Sequence, residues 1–345
     1  MTEDRKATIR DVARYAQVSV GTVSHVLNGT MNVSAALRAR VESAMRALGY
    51  EQNMLAHAQR RQLTPVVGLS VPHVASAYLA ALIDLFEEIA AGRGYQMMQV
   101  LTRRDPEIEL RRVRELLRHR IAGLLLVPTF DPRRTLDLIH ASGTPAVLVD
   151  RAADDLRFDQ VTFDNSRVMR DMVTQLIRLG HSRILFVVQS RILVISRDRI
   201  EALRATAAEA RRRVKTFVLE IGAETATYAD RLTRILQGPE QPTVIIVSNS
   251  TIAACTLTVL RTMGDAYPAR ISLVSFEEPE WAELVSPRLA VIRQPVRDIA
   301  REAWELLLRR MQGDDSPVEH LELRATVVLR ESVHKPPPRN DRGHS

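Results

Sequence analysis

The sequence predicts an α/β protein: a small helical unit at the N-terminus, then a doubly wound core of parallel strands. Three observations carry this. From Pro65 onward, short apolar runs alternate with amphipathic helical stretches. The runs are continuously apolar rather than alternating, as strands buried on both faces require. Before residue 50 there are three short segments of helical period, each with its own cap.

In order, strand 66–71 precedes helix 78–91, strand 95–101 precedes helix 106–119, and strand 121–127 precedes helix 132–141 and a strand at 146–149. The rhythm resumes with strand 161–163 and a helix running to Leu179, stopped by Gly180. It continues with strand 184–188, helix 200–212, strand 216–219, helix 226–236, strand 244–247, helix 252–263 and strand 271–276. Helix 296–311 and strand 324–329 close the fold, and the tail 334–345, with three consecutive prolines, reads as disordered.

The N-terminal unit has a sharper pattern. Thr8-Ile9-Arg10-Asp11 is a capping box that opens a first helix with Ile9, Val12, Ala13 and Ala16 on one face. Gln17-Val18 makes a turn, and Ser19 caps a second helix over 20–27. Ser34 caps a third, which runs to Leu48 with Leu37, Val41, Ala44, Met45 and Leu48 as its apolar stripe. Two short helices joined by a tight turn and braced by a third form a helix-turn-helix unit. The outer face of the second helix (Val20, Gly21, Ser24, His25) is small and polar. A merely solvated face usually carries Lys and Glu, whereas one that enters the DNA major groove needs donors, acceptors and little bulk.

Composition narrows the function. The 345 residues are 46% hydrophobic and 26% charged, with a formal net charge of +7. Residues 1–63 hold nine Lys/Arg against five Asp/Glu, so over half of the excess lies in under a fifth of the chain. That favours a nucleic-acid partner, although an arginine-rich solvated surface gives the same total. The single cysteine, Cys255, excludes an intramolecular disulfide and any cysteine-based zinc site. The charged N-terminus is unlike a secretory leader and no stretch suits a membrane span, so a cytoplasmic protein without membrane partner is expected. Phosphate-cradling glycine loops, metal-ligand spacing and nucleophile elbows are absent, so neither catalysis nor a cofactor is expected.

The runs Thr8–Ala13, Val18–Asn28 and Val33-Ser34, continued by Ala47-Leu48-Gly49-Tyr50 and Asn53, resemble the N-terminal signature of the lactose-repressor/galactose-repressor (LacI/GalR) family. The resemblance implies a headpiece (1–50), a hinge (51–64) and a core (65–333) of two doubly wound subdomains of periplasmic-binding-protein type. The first would comprise about 65–162 plus 294–320, the second about 163–293 plus 321–333. It implies a homodimer on an approximately palindromic double-stranded operator, controlled by a small-molecule effector such as a sugar or sugar derivative. A solute-binding protein and a sugar-processing enzyme are the competing readings.

Carried over by residue, the resemblance assigns base reading to Val20, Gly21 and His25. Thr8, Ser19, Thr22, Ser24, Asn28, Asn32, Ser34, Arg38, Tyr50 and Asn53 become phosphate or groove contacts. Relatives usually carry Arg where His25 stands, so base readout and a plain phosphate contact stand as equal readings of this residue. In the hinge, the position that wedges into the minor groove in relatives falls on Gln59, unless Leu55 or Leu63 shifts into it. The effector cleft falls on Asp150, Phe163, Arg199, Asn249, Glu277, Trp281 and Gln294. A guanidinium at Arg199 suits paired hydroxyls or a carboxylate; its bland alternative is a surface ion pair, and that of Trp281 is a core tryptophan. Ser250 stands where relatives carry Asp, and Glu277-Glu278 replaces an Asp pair. The longer Glu277 is expected to shrink the pocket, and a lost carboxylate beside Arg191, Arg197 and Arg199 to favour an anionic ligand.

Overall fold

A computed structural model of the chain describes residues 8–28, 34–48, 64–211, 213–222, 227–264, 267 and 269–337. Helix α1 (Ile9–Tyr15) starts on the capping box: Thr8 Oγ1 accepts from the Asp11 amide, and Asp11 Oδ2 accepts from the Thr8 amide at 2.9 Å. Gln17, in the left-handed region at φ 52°, turns the chain. Helix α2 (Val20–Asn28) follows Ser19, whose Oγ accepts from the Thr22 amide at 3.0 Å. Helix α3 (Ala35–Leu48) closes a small core around Val12, Ala13, Ala16, Val23, Val41 and Ala44. Arg40 ties α3 to the turn by donating to the Ala16 carbonyl at 2.6 Å.

The core begins with β1 (Val66–Val71), α4 (Ala77–Gly92), β2 (Gln96–Leu101), α5 (Pro106–Arg118), β3 (Gly123–Leu126), α6 (Arg133–Ser142), β4 (Ala146–Val149) and β5 (Asp159–Phe163). It continues with α7 (Asn165–Leu179), β6 (Arg183–Val188), α8 (Val194–Ala208), β7 (Lys215–Glu220), α9 (Tyr228–Gln237), β8 (Val244–Val247), α10 (Ser250–Thr262) and β9 (Ser272–Ser275). Last come β10 (Ala290–Arg293), α11 (Val296–Met311), β11 (His320–Leu323) and β12 (Thr326–Val328).

Two sheets result. The first has the order β11-β5-β4-β3-β1-β2, all parallel. The second has the order β12-β10-β9-β8-β6-β7, parallel except where β12 runs against β10. The chain crosses between them after β5, after β10 and after β11. Helix α11 belongs to the first sheet and lies close over β3, where a Cβ on Gly123 would come within 2.9 Å of Leu307 and Met311. A larger residue there would have to displace those two side chains.

The structure departs from the sequence reading in four places. Strand pairing carries the first subdomain to Phe163 and gives it β11 as well, so residues 321–323 leave the second subdomain. Strands β10 and β11 are absent from the sequence reading: β10 carries only the short apolar run Leu289–Ile292, and β11 is an edge strand whose side chains alternate between exposed and half-buried. Helix α8 spans 194–208 rather than 200–212, because its polar Ser196 and Arg199 are buried and confuse the apolar period. The tail is ordered as far as it is described: the His334 amide and Nδ1 both meet Ser272 Oγ at 3.1 Å. His334 thereby extends the tertiary structure beyond the expected end of the core.

One buried ion pair fastens this late crossover. Asp159, 1% exposed, receives Arg310 Nε at 2.7 Å and Nη2 at 2.9 Å, together with the Glu319 amide at 2.7 Å. Arg310 also donates to the Pro317 and Ser316 carbonyls, fixing the turn that leads into β11. Removing one partner leaves the other charge buried and unpaired. Arg310→Met is therefore expected to cost about 3–5 kcal/mol in urea denaturation; a loss below about 1 kcal/mol would show the pair to behave as a surface bridge.

Candidate effector cleft and DNA-facing surface

In doubly wound sheets, ligands bind beyond the carboxyl ends of the strands, and here those ends from both sheets face one cleft. His73 and Ser76 follow β1, Arg104 follows β2, and Asp150 and Arg151 follow β4. From the other side come Gln189 after β6, Ser248 and Asn249 after β8, Glu277 after β9 and Gln294 after β10. Helix α8 adds Ser196 and Arg199. Arg103, Arg104 and Asp150 hold left-handed backbone (φ 54°, 62° and 70°), a conformation costly for residues with a Cβ and concentrated at functional sites.

Glu277 bridges the walls. Its Oε1 accepts from Ser76 Oγ at 2.8 Å, and its Oε2 accepts from the Ser250 amide at 2.9 Å and hydroxyl at 2.6 Å. Ser76 also caps α4, accepting from the Leu79 amide at 3.3 Å. Burial pushes the Glu277 carboxyl above its usual range, and the hydrogen bonds from Ser250 and Ser76 oppose that rise. The two departures noted in the sequence are thus one device: an acidic residue at position 250 would face this carboxylate, whereas serine donates to it.

Arg199, 3% exposed, lies 3.9 Å from the ring centroid of Phe276 and 5.7 Å from that of Phe163. Its Nε donates to Asn165 Oδ1 at 2.7 Å. Burial pulls it down to about 10, with Asp150 and Glu277 working the other way, so it stays charged at neutral pH. Asp150 is raised by burial and held down by Arg151 and Arg199. Asn249 caps α10 through the Ile252 amide at 2.8 Å. Gln294 donates to the Phe276 carbonyl at 2.6 Å and leaves its buried Oε1 without a partner.

Of the expected effector residues, Asp150, Arg199, Asn249, Glu277 and Gln294 line the cleft, and Phe163 lies against Arg199. Trp281 does not line it; it packs with the outer apolar cluster of the second subdomain, beside Ala282 and Leu289. The expected cations need correction too. Arg191 donates to the Val218 carbonyl at 2.6 Å and lines, with Arg197, a separate depression outside the cleft. The cleft's other guanidinium groups are Arg104 and Arg151 of the first subdomain. Neither they nor His73 stood out in sequence, because the loops after β1, β2 and β4 become neighbours only in the assembled sheet.

On the headpiece, Val20 is 42% exposed and Gly21 is exposed beside it. Ser19 and Thr22 share a hydroxyl contact of 2.8 Å, and Ser34 Oγ accepts from the Leu37 amide at 3.4 Å. Thr8 and Arg38 are exposed. Ser24, His25 and Asn28 fall on α2 with side chains outside the described ones, and Asn32, Tyr50, Asn53 and Gln59 lie outside the described residues.

Comparison with known proteins joins the two parts. Residues 8–53 match the model for bacterial regulatory proteins of the lacI family, and residues 173–333 match a periplasmic binding protein-like domain. The HTH-type transcriptional regulator GalR of Salmonella typhimurium is 31% identical over 345 residues, covering 98% of each chain. The chain belongs to the LacI family. It is accordingly a DNA-binding transcriptional regulator. KdgR of Bacillus subtilis is 26% identical over 330 residues, 94% of this chain and 97% of that one. Two solved structures share the LacI-family fold. The Lac repressor dimer bound to operator and the anti-inducer ONPF has a TM-score of 0.70 at 23% identity, covering 96% of this chain and 100% of that one. A CelR–cellobiose complex has a TM-score of 0.69 at 24% identity, covering 95% and 100%.

Behind the cleft, Glu109 is fully buried and accepts from the Thr129 amide at 2.8 Å and hydroxyl at 3.0 Å. Burial lifts its carboxyl to about 7, against the pull of Thr129 and Arg151. The unfolded chain releases this proton near the ordinary 4.5 and the folded one near 7, so folding binds a proton between them and stability falls as pH rises through that window. Glu109→Gln should reduce the loss of stability between pH 4.5 and 8 by about 3 kcal/mol, read from urea melts at both pH values; an unchanged pH dependence would place the ionisation elsewhere.

Proposed function

We propose that this regulator is a homodimeric, cytoplasmic repressor whose affinity for an approximately palindromic operator is set by a sugar or sugar derivative in the cleft. The observation that carries the reading is the Ser76–Glu277–Ser250 contact: two subdomains meet through side chains at the ligand-facing strand ends. A ligand that binds one arrangement of the subdomains better than another shifts their equilibrium. Asp150, Arg199, Asn249, Glu277 and Gln294 would present polar groups to it, as a site that orients a polyhydroxy ligand requires. The sugar-like ligands named with the Lac repressor and CelR structures support this class of effector. Two headpieces would each serve one half-site, which is why a dimer is proposed.

At the DNA, α2 would enter the major groove, with Val20, Gly21 and His25 at base edges. Thr8, Ser19, Thr22, Ser24, Asn28, Asn32, Ser34, Arg38, Tyr50 and Asn53 would hold the backbone. Replacing Val20 and Gly21 with larger polar residues should change the half-site selected from a random duplex pool while leaving the salt dependence of affinity nearly unchanged. Selection of the original half-site by the variant would remove base reading from these positions.

A second experiment addresses the cleft. Arg199→Ala should retain operator affinity within about threefold and lose the response to whichever member of a sugar and sugar-acid panel releases or strengthens DNA binding in the parent. A retained response would place the effector elsewhere.

A further inference from the structure

The cleft carries more positive charge than its own acids balance. Glu277 is already engaged on both oxygens by Ser76 and Ser250. Asp150 lies between Arg151 and Arg199, with Arg151 Nε at 3.6 Å from its Oδ2. Two carboxylates line the cleft beside three guanidinium groups, Glu109 behind it also acts on Arg151, and Arg104 makes its close contact with a neutral partner, His73 Nε2 at 2.6 Å. Burial, reinforced by the charges of Arg104 and Arg151, holds His73 down at about 4, so the ring is uncharged near neutral pH.

A guanidinium only donates, so Nε2 of His73 accepts and Nδ1 carries the ring proton. That Nδ1 is buried without a hydrogen-bond partner, as is Arg151 Nε. Around the exposed Arg104 the first subdomain's wall thus holds two buried donors without hydrogen-bond partners, one of which, Arg151 Nε, lies 3.6 Å from Asp150. Burial disfavours the Arg104 charge, the neighbouring Arg151 adds to this, and Glu277 works the other way. Sugar hydroxyls could accept from the guanidinium groups but would add no negative charge to this wall. A carboxylate or phosphate supplies both the acceptors and the charge.

We propose that the effector is anionic, a sugar acid or a sugar phosphate, and that its charged group is taken by Arg104 and Arg151 while Arg199 meets the rest of the molecule. This rests on the cleft being the effector site and names the chemistry of what enters it. Arg104 stands at the end of β2 with its residue exposed, so Arg104→Gln removes the charge without disturbing the core.

The test is thermal melting of the full chain, with and without Arg104→Gln, in chloride, inorganic phosphate, glucuronate, glucose 6-phosphate and glucose at matched ionic strength. Inorganic phosphate and at least one of the two sugar anions should raise the melting temperature of the parent above chloride. Arg104→Gln should weaken the apparent affinity for them at least tenfold, whereas Arg191→Gln, outside the cleft, should leave it unchanged. The headpiece's phosphate contacts are the same in all three proteins and cancel in the comparison. The larger shift between glucuronate and glucose 6-phosphate identifies the carboxylate or the phosphate as the charged group. No anion-specific shift, or one that survives Arg104→Gln, overturns the proposal. Stabilisation by glucose alone, lost in Arg199→Ala, overturns it while leaving the cleft as the effector site.

Discussion

Glu277 carries the contact on which the closed arrangement of the core depends. It belongs to the second subdomain, yet one of its oxygens takes the hydroxyl that caps the first helix of the other. The other oxygen takes the amide and hydroxyl of Ser250 at the start of α10. A helix N-terminus favours negative charge through its free amides, so the carboxylate is stabilised where α10 begins while it reaches across to α4. Aspartate, one methylene shorter, would sacrifice one of these partners. Glu277 thus joins the two walls of the cleft through one side chain.

That closure sets the electrostatics of everything around it. Excluding water raises the cost of each charge and strengthens each surviving contact. Arg199 tolerates burial because the faces of Phe276 and Phe163 and the Asn165 carbonyl replace its hydration. Glu109 lacks such a cation at bonding distance and answers with a raised carboxyl pKa instead. His73 answers by staying neutral. Each buried group meets the same constraint by a different route, and the route follows from its immediate partners.

The headpiece obeys other rules. Among the described residues its buried core is of small side chains, with Val18, Val26, Met45 and Leu48 packed against them, a modest apolar burial for three helices. The Thr8–Asp11 box, the Ser19 cap and the bond from Arg40 to the Ala16 carbonyl supply part of what the core lacks. With Val23 spent inside, Val20 and Gly21 are left exposed on α2, with the little bulk that a groove-reading helix requires.

Much of this was legible in the sequence because it is local. Caps, turns and continuous apolar runs act over a few residues, so β1, β4, β8 and α11 fall where their patterns place them, and the helix-turn-helix is readable from its own fifty or so residues. Resemblance then placed Asp150, Arg199, Asn249, Glu277 and Gln294 in the cleft. Trp281 was misplaced because an apolar ring fits a core as well as a ligand pocket, and only packing decides between them. Strand β11 was missed because an edge strand with one half-buried face lacks an apolar run. Ser76 and Glu277 are 201 positions apart in the chain, and the loops bearing His73, Arg104 and Arg151 leave three different strands. Their meeting is fixed by the order in which strands enter the two sheets, a long-range property that no local pattern encodes. The sequence by itself determined the capped helices and the buried strands with continuous apolar runs; the tertiary structure decided which arginines share a wall and which carboxylate joins the two sides of the cleft.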